Sequence, residues 1–326
     1  MKNIALFACD NGLGHIRRAS ILSTILSKYF KVNFFIQKKK IKKFLNPSRA
    51  KIINFQFNFK NKKKHYLRSN YMRRFKSKNL SNFDAVYSDN FPEIIQTNKK
   101  AFIFANFFWH YEFGIETPLY RNLNKELINK KTTIFVNYLF FKKYLLKYNL
   151  VKVPFFGKFI KTKKKNSILI SFGTADYAYE KQIKNKIFQV LKLNDSPKIK
   201  IFIEPKYYKK KFRKFNVYKA TFSKKMYDQI SVAYIKPGLG TVEECLMRGI
   251  PIVCYTYNAQ KEFRHNAKVI IKNKLGFKAK NFKLGFLLSK KILTDKNFIK
   301  SHENKCKKLI WDGELKIAKY LHKKIK

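Results

Sequence analysis

The sequence predicts an α/β protein of two Rossmann-like domains. Three observations predict it. Short apolar runs lack the alternation of a half-exposed sheet, apolar residues between them recur at helical spacing, and the whole pattern breaks once and starts again.

In the first half, NIALFAC (3–9), VNFFIQ (32–37), KIINFQF (51–57), DAVYS (84–88), AFIFAN (101–106) and TTIFVN (132–137) read as strands buried on both faces. Between the first two, Ile16, Ala19, Leu22, Ile25, Leu26 and Tyr29 mark a helix over 15–29. Strand–helix alternation of this kind implies a parallel sheet with right-handed crossovers and helices on both faces.

The break is PFFGKFIKTKKKN (154–166), with Pro, Gly and a Lys run. It divides an N-terminal domain, 1–153, from a C-terminal one, 167–326. The second half has strands SILISF (167–172), KIKIFIE (198–204), VAYIK (232–236) and PIVCYTY (251–257), with helices near 179–193, 224–230, 240–248 and 262–273. A closing amphipathic helix, 313–325, carries Leu315, Ile317, Ala318, Leu321 and Ile325 on one face and is expected to pack back on the N-terminal domain. Ligands of open α/β sheets lie beyond the carboxyl ends of the strands, so the loops after 9, 88, 106, 172, 236 and 257 are expected to line a cleft.

Composition excludes several classes. A chain that is 45% hydrophobic and 17% aromatic folds despite a formal net charge of +54. Only ten of the 73 basic residues are Arg, and the chain is rich in Asn, Ile, Phe and Tyr, all A/T-rich codons, so part of the charge reflects coding bias. The rest attracts polyanions or an anionic membrane. Lys runs at 38–40, 62–64, 163–165 and 209–211 sit in no nucleic-acid-binding motif. Cys9, Cys245, Cys254 and Cys306 form no C-x-x-C pair and have no His at zinc spacing, as reduced thiols of a cytoplasmic protein would. The first apolar run meets Asp10, too short for a signal segment, and no run approaches the roughly 20 residues of a membrane span.

Two constellations carry chemistry. In ACDNGLGHIRRAS (8–20), Gly12 and Gly14 let the backbone turn and approach a ligand, and a helix starting near His15 presents its positive end. A dinucleotide site would need a third glycine where Arg17 stands and an acid where Gln37-Lys-Lys-Lys follows the next strand, so NAD is not expected. His15 suits a general base or a local helix cap. Arg17 and Arg18 read as phosphate or membrane contacts, with at least one on a solvated face.

In IKPGLGTVEECLMRGIP (235–251), Pro237 stops a strand, Gly238 and Gly240 open a turn, and Thr241 begins a helix whose Val242, Cys245 and Leu246 face the core. Thr241, Glu244 and Arg248 share its other side. Glu244 and Arg248 form an ordinary i, i+4 ion pair on one reading. On the other, amides of 238–241 meet a diphosphate and Glu244 accepts the hydroxyls of a ribose.

Gly12-Leu-Gly14-His15, Ser171-Phe172-Gly173-Thr174, and Lys236-Pro-Gly-Leu-Gly-Thr-Val-Glu-Glu244 with Gly249-Ile-Pro251 together resemble GT-B glycosyltransferases, in particular the group of the peptidoglycan N-acetylglucosaminyltransferase. The resemblance runs nearly the whole chain, through Tyr87-Ser-Asp89, Phe91-Pro92-Glu93, Ala105-Asn106 to Trp109, and Lys261 to Arg264. It implies a cleft between the domains, a nucleoside-diphosphate sugar on the second one, Glu244 at the ribose, and Gly238, Gly240 and Thr241 at the phosphates. Gly173 and Thr174 would approach the base or phosphates, with Asn106, Phe263 and Arg264 completing the substrate contacts. It implies His15, or Asp89, as the proton acceptor beside a Gly12–Gly14 loop that meets the diphosphate or acceptor. No metal or other cofactor is implied, and the chain has no Asp-x-Asp. Gln260, Glu262 and Arg264 stand where the peptidoglycan enzyme has a Gln pair, leaving the donor sugar, hexose or N-acetylhexosamine, open.

The expected activity is an inverting, metal-independent transfer, with a UDP-sugar as donor and a cell-envelope glycan or lipid-linked sugar as acceptor. The expected place is the cytoplasm or the inner membrane face. Two alternatives stay open: a nucleotide-sugar hydrolase of the nonulosonic acid type, which shares the Gly-x-Gly-His-x-x-Arg run, and a polyanion-binding protein with a degenerate site.

Overall fold

A computed structural model of the chain describes residues 1–8, 13–36, 50–55, 75, 80–98, 100–163, 165–173, 177–194, 196, 198–257 and 259–325. They form two compact units, Met1–Gly157 with Trp311–Lys326, and Lys158–Ile310.

The first unit holds a seven-stranded sheet in the order β3-β2-β1-β4-β5-β6-β7. Its strands are β1 Asn3–Ala8, β2 Lys31–Ile36, β3 Lys51–Asn54, β4 Ala85–Asp89, β5 Ala101–Phe104, β6 Thr133–Asn137 and β7 Leu150–Val153, paired in parallel throughout. The six expected strands are present. β7 is an addition whose LVKV is too short and too polar to register as an apolar run. β3 sits at the sheet edge and is only half-buried, unlike its neighbours.

Along β1, alternate residues serve opposite cores: Ala5 and Phe7 face one, Ile4, Leu6 and Ala8 the other, and all are buried. That is why the run shows no polar alternation. The first core is aromatic, with Phe7 stacked on Phe35 at 4.4 Å and edge-on to Phe55 and Phe75. The second is covered by helix α1, Leu13–Leu26, through Ile16, Ala19, Leu22 and Leu26, and by the closing helix, Gly313–Lys324, through Ile317, Ala318 and Leu321. The closing helix is seated closely: a Cβ on Gly313 would overlap the Pro154 carbonyl oxygen, and Gly157 N donates to Glu314 Oε2 at 2.8 Å. Between β5 and β6 run two further helices, α2 Trp109–Glu112 and α3 Pro118–Asn129.

The second unit holds a six-stranded parallel sheet, order β10-β9-β8-β11-β12-β13. Its strands are β8 Ser167–Ser171, β9 Lys200–Ile203, β10 Val217–Lys219, β11 Val232–Ile235, β12 Ile252–Cys254 and β13 Gly276–Lys278. Helices α4 Tyr177–Leu191, α5 Lys224–Tyr227, α6 Leu239–Met247 and α7 Lys261–Lys272 lie between strands, α8 Phe282–Thr294 and α9 Lys296–Lys307 follow β13, and the closing helix is α10. α5 is a single turn, shorter than the expected 224–230, because Asp228 already caps it.

Both sheets reverse strand order once, at β1/β4 and at β8/β11. An open α/β sheet binds ligands at this point, where the loops leaving two neighbouring strands diverge to opposite faces.

Candidate functional site

At the first switch point the register sets Asp89, last residue of β4, level with Ala8, last residue of β1. α1 begins five residues on, and its first turns carry His15 and Arg18, three apart and so on one face. His15 Nδ1 lies 3.0 Å from Asp89 Oδ1. Arg18 donates from Nε and Nη2 to Asp89 Oδ2 at 3.2 and 3.0 Å, and from Nη2 to Oδ1 at 3.1 Å. The guanidinium also stacks over the Phe104 ring, 4.5 Å from its centroid.

Burial by itself would raise the Asp89 pKa, but the Arg18 charge, with His15 and the hydrogen bonds of both, outweighs it and lowers the value. The carboxylate is therefore ionised. Asp89 is an obligatory acceptor, so Nδ1 is the His15 nitrogen placed to donate to it and Nε2 the one placed to accept a proton. The imidazole is 18% exposed where Asp89 is 3%, so of the two only His15 has a face open to an acceptor hydroxyl.

Several expected residues behave differently. Arg18 is neither solvated nor a surface anion contact but buried, and Arg17 beside it is half-buried. Asp89 is hydrogen-bonded to His15, and its carboxylate is held below its usual range. Asn106 is buried and accepts through Oδ1 from Asn137 N at 2.7 Å, tying the ends of β5 and β6 together. Gly14 is half-buried in the first turn of α1. Gly12 and Thr174 lie outside the described residues.

At the second switch point, β8 ends at Ser171 and leads into Phe172-Gly173, and β11 ends at Ile235 and leads into Lys236-Pro237-Gly238. Gly173 has φ +70, and a Cβ there would stand 3.2 Å from Lys236 Cε and Nζ. Lys236 is buried and its ammonium lies 4.4 Å over the Phe263 ring, which also backs Gly238. Glu204, following β9, accepts from Ser171 Oγ at 2.6 Å and Gly173 N at 2.5 Å, and Lys206 Nζ donates to Gly173 O at 2.7 Å. Gly238 takes the N-cap of α6 with no side-chain cap, and Gly240 and Thr241 follow half-buried in its first turn. The cluster thus gathers Gly173, Gly238 and Phe263 around two lysines, with Arg264 exposed on α7.

Glu244 is elsewhere in its commitments. Its Oε2 accepts from Arg248 Nη1 at 2.8 Å, and Arg248 Nε donates to Asp228 Oδ1 at 2.8 Å. On the far side of α6, Glu244 and Arg248 are therefore buried while Thr241 is half-buried. Sequence reasoning missed the roles of Arg18, Glu204 and Lys206. The i, i+3 spacing from His15 was the available signal for Arg18, whereas the other two are set by which strand neighbours β8.

No protein-family model matches the sequence, and no curated protein does. Solved structures do. Os79 from O. sativa in complex with UDP matches at a TM-score of 0.69 and 11% identity, over 99% of this chain and 100% of that one. The glycosyltransferase SnogD from Streptomyces nogalater matches at 0.65 and 13%, over the full length of both. CalG4, the calicheamicin glycosyltransferase, matches at 0.64 and 12%, over 99% of this chain and 97% of that one. At such identities the likeness is one of fold. The chain has the GT-B fold of glycosyltransferases.

Proposed function

We propose that this GT-B chain is a glycosyltransferase that moves a hexosyl or N-acetylhexosaminyl group from a nucleoside-diphosphate sugar, a UDP-sugar, to an acceptor hydroxyl with inversion. The observation that carries the reading is the His15–Asp89 pair at a switch point. His15 Nε2 takes the acceptor's proton as its oxygen attacks the anomeric carbon. The bond from that carbon to the diphosphate oxygen breaks, and its electron pair leaves with the nucleoside diphosphate. Displacement from the opposite face inverts the centre. Asp89 holds the ring and stabilises the imidazolium that forms.

The donor is assigned to the second unit. Developing charge on the leaving diphosphate would be met by the start of α6, at Gly238, Gly240 and Thr241, and by Lys236, a role these groups would fill without a metal. Gly173, Thr174 and Phe263 would frame the donor, with Arg264 at its rim. Asn106 would contribute to the acceptor side by fixing the loop between β5 and β6. Glu244 remains the assigned ribose contact through a carboxylate it shares with Arg248. The finding that Os79 was solved with UDP supports a uridine donor.

The acceptor is assigned to a cell-envelope glycan or lipid-linked sugar at the cytoplasmic face of an anionic membrane. Among the described residues no helix is long and apolar enough to cross a membrane, which leaves peripheral contact as the mode proposed. Leu146 supports it, being 59% exposed between the exposed Lys143 and Lys147.

A thermal-shift series with UDP, GDP, TDP and their sugars tests the reading. Selective stabilisation by one nucleoside diphosphate is expected. No stabilisation by any of them overturns it, and rapid stoichiometric release of free sugar without acceptor would identify a hydrolase instead.

A further inference from the structure

We propose that Arg18 is a positioning residue of the His15–Asp89 pair: it locks the carboxylate in place and offsets its charge, so that His15 stays neutral and ready to accept a proton. The inference rests on reading His15 as the base, and deepens it.

The geometry makes three demands. Arg18 donates three hydrogen bonds to the two oxygens of Asp89, and the same Nη2 lies 3.2 Å from His15 Nδ1. Arg18 and Asp89 are 5% and 3% exposed at their side chains, so water does little to screen them. Phe104 and Phe156 flank the guanidinium, at 4.5 and 5.9 Å, which fixes where it can go.

Without Arg18, a buried carboxylate beside an imidazole would favour the imidazolium–carboxylate pair, and an imidazolium accepts no proton. With Arg18 in place, its charge offsets that of the Asp89 carboxylate. A proton on His15 then sets two cations in contact distance, sharing one carboxylate. Such an arrangement resists premature protonation but keeps Asp89 oriented for the moment when the acceptor's proton arrives. Among the described residues Tyr87 on β4 is a further titratable group beside Asp89 and Arg18, and the β5 and 155–157 sides present Phe104 and Phe156.

The test needs no substrate. In the full chain, the His15 imidazole signal is identified by its loss in His15→Gln and titrated by NMR in wild type, Arg18→Gln and Arg18→Lys. The protonation midpoint is expected to rise by about one pH unit in Arg18→Gln. Arg18→Lys, which keeps the charge without the fork, is expected to stay at the wild-type midpoint and serves if Arg18→Gln does not fold. An unchanged midpoint in folded Arg18→Gln, or an equal rise in Arg18→Lys, overturns the proposal. A midpoint that responds to Arg18 in a protein without sugar transfer would sink the functional reading and leave only the coupling of Arg18 to His15.

Discussion

Glu244 and Arg248 are joined at 2.8 Å one turn apart on α6, and Arg248, among the largest fully buried side chains of the protein, has its other edge on Asp228. Removing the carboxylate leaves the buried guanidinium, among the described residues, only the partly exposed Asp228 as a carboxylate partner. Glu244→Ala is expected to cost about 3 kcal/mol in denaturant unfolding, whatever it does to ligand binding. Glu244→Gln keeps an acceptor and is expected to cost less. A ribose role is then tested in Glu244→Gln, where UDP affinity should fall while the fold persists. Unchanged affinity there removes Glu244 from the donor site.

His15→Ala deletes the side chain that faces out of the buried pair. A folded protein is expected, with turnover of the nucleotide-sugar donor reduced about 10² to 10⁴-fold. Circular dichroism and a coupled assay for released diphosphate check the two halves separately. Full activity would place the base outside the first switch point.

Asp89 links the same pair to acid stability. Its carboxyl is held below the ordinary range, so its contribution is complete above the unfolded value of about 4 and is lost as pH falls through the lowered folded value. Asp89→Asn leaves Arg18 buried with a neutral partner. The gap in unfolding free energy between wild type and Asp89→Asn is expected to close as pH falls below about 4. A gap independent of pH down to 2 would show that the carboxylate's charge is not what Arg18 holds.

Glu93 runs the other way. It is buried in the 3₁₀ turn after β4, accepts from Tyr120 Oη at 3.1 Å, and burial pushes its carboxyl up to about 7. A raised value means that the folded state holds the proton longer than the unfolded one. Its contribution is full below about 4.5 and is lost progressively as pH rises to about 7. Glu93→Gln keeps an acceptor for Tyr120 and has no charge to bury. Its stability relative to wild type is expected to grow by on the order of 3 kcal/mol between pH 4.5 and 7.5, read from urea midpoints.

The sheets were legible because their strands are buried on both faces, which leaves unbroken apolar runs such as NIALFA and SILIS. The edge strands β7, β10 and β13 are three or four residues long and owe their pairing to the neighbour rather than to their own pattern. Of the site, the glycines and His15 could be read because a loop after a strand and before a helix has few other uses. That Asp89 lies beside His15 could not, since it depends on β1 pairing with β4 across 74 residues of sequence. Arg18 and Arg17 are the same letter next to each other. Only the helix phase, which turns Arg18 toward β4, separates a buried partner from a half-buried neighbour.

Gly173 tests the second switch point by geometry alone. Its φ of +70 lies in the region L side chains avoid, and an added Cβ meets the Lys236 ammonium end at 3.2 Å. Strain alone is expected to cost Gly173→Ala about 1 kcal/mol, since the Lys236 tip is flexible enough to move aside. Moving it, however, displaces the ammonium from its seat over Phe263 and from the end of β11. If Lys236 meets the donor diphosphate, UDP affinity should fall well beyond what the lost stability explains, and Lys236→Met at an unstrained Gly173 should reproduce the loss. Calorimetric titration with UDP decides it: equal affinity in all three proteins would leave Lys236 with a packing role only.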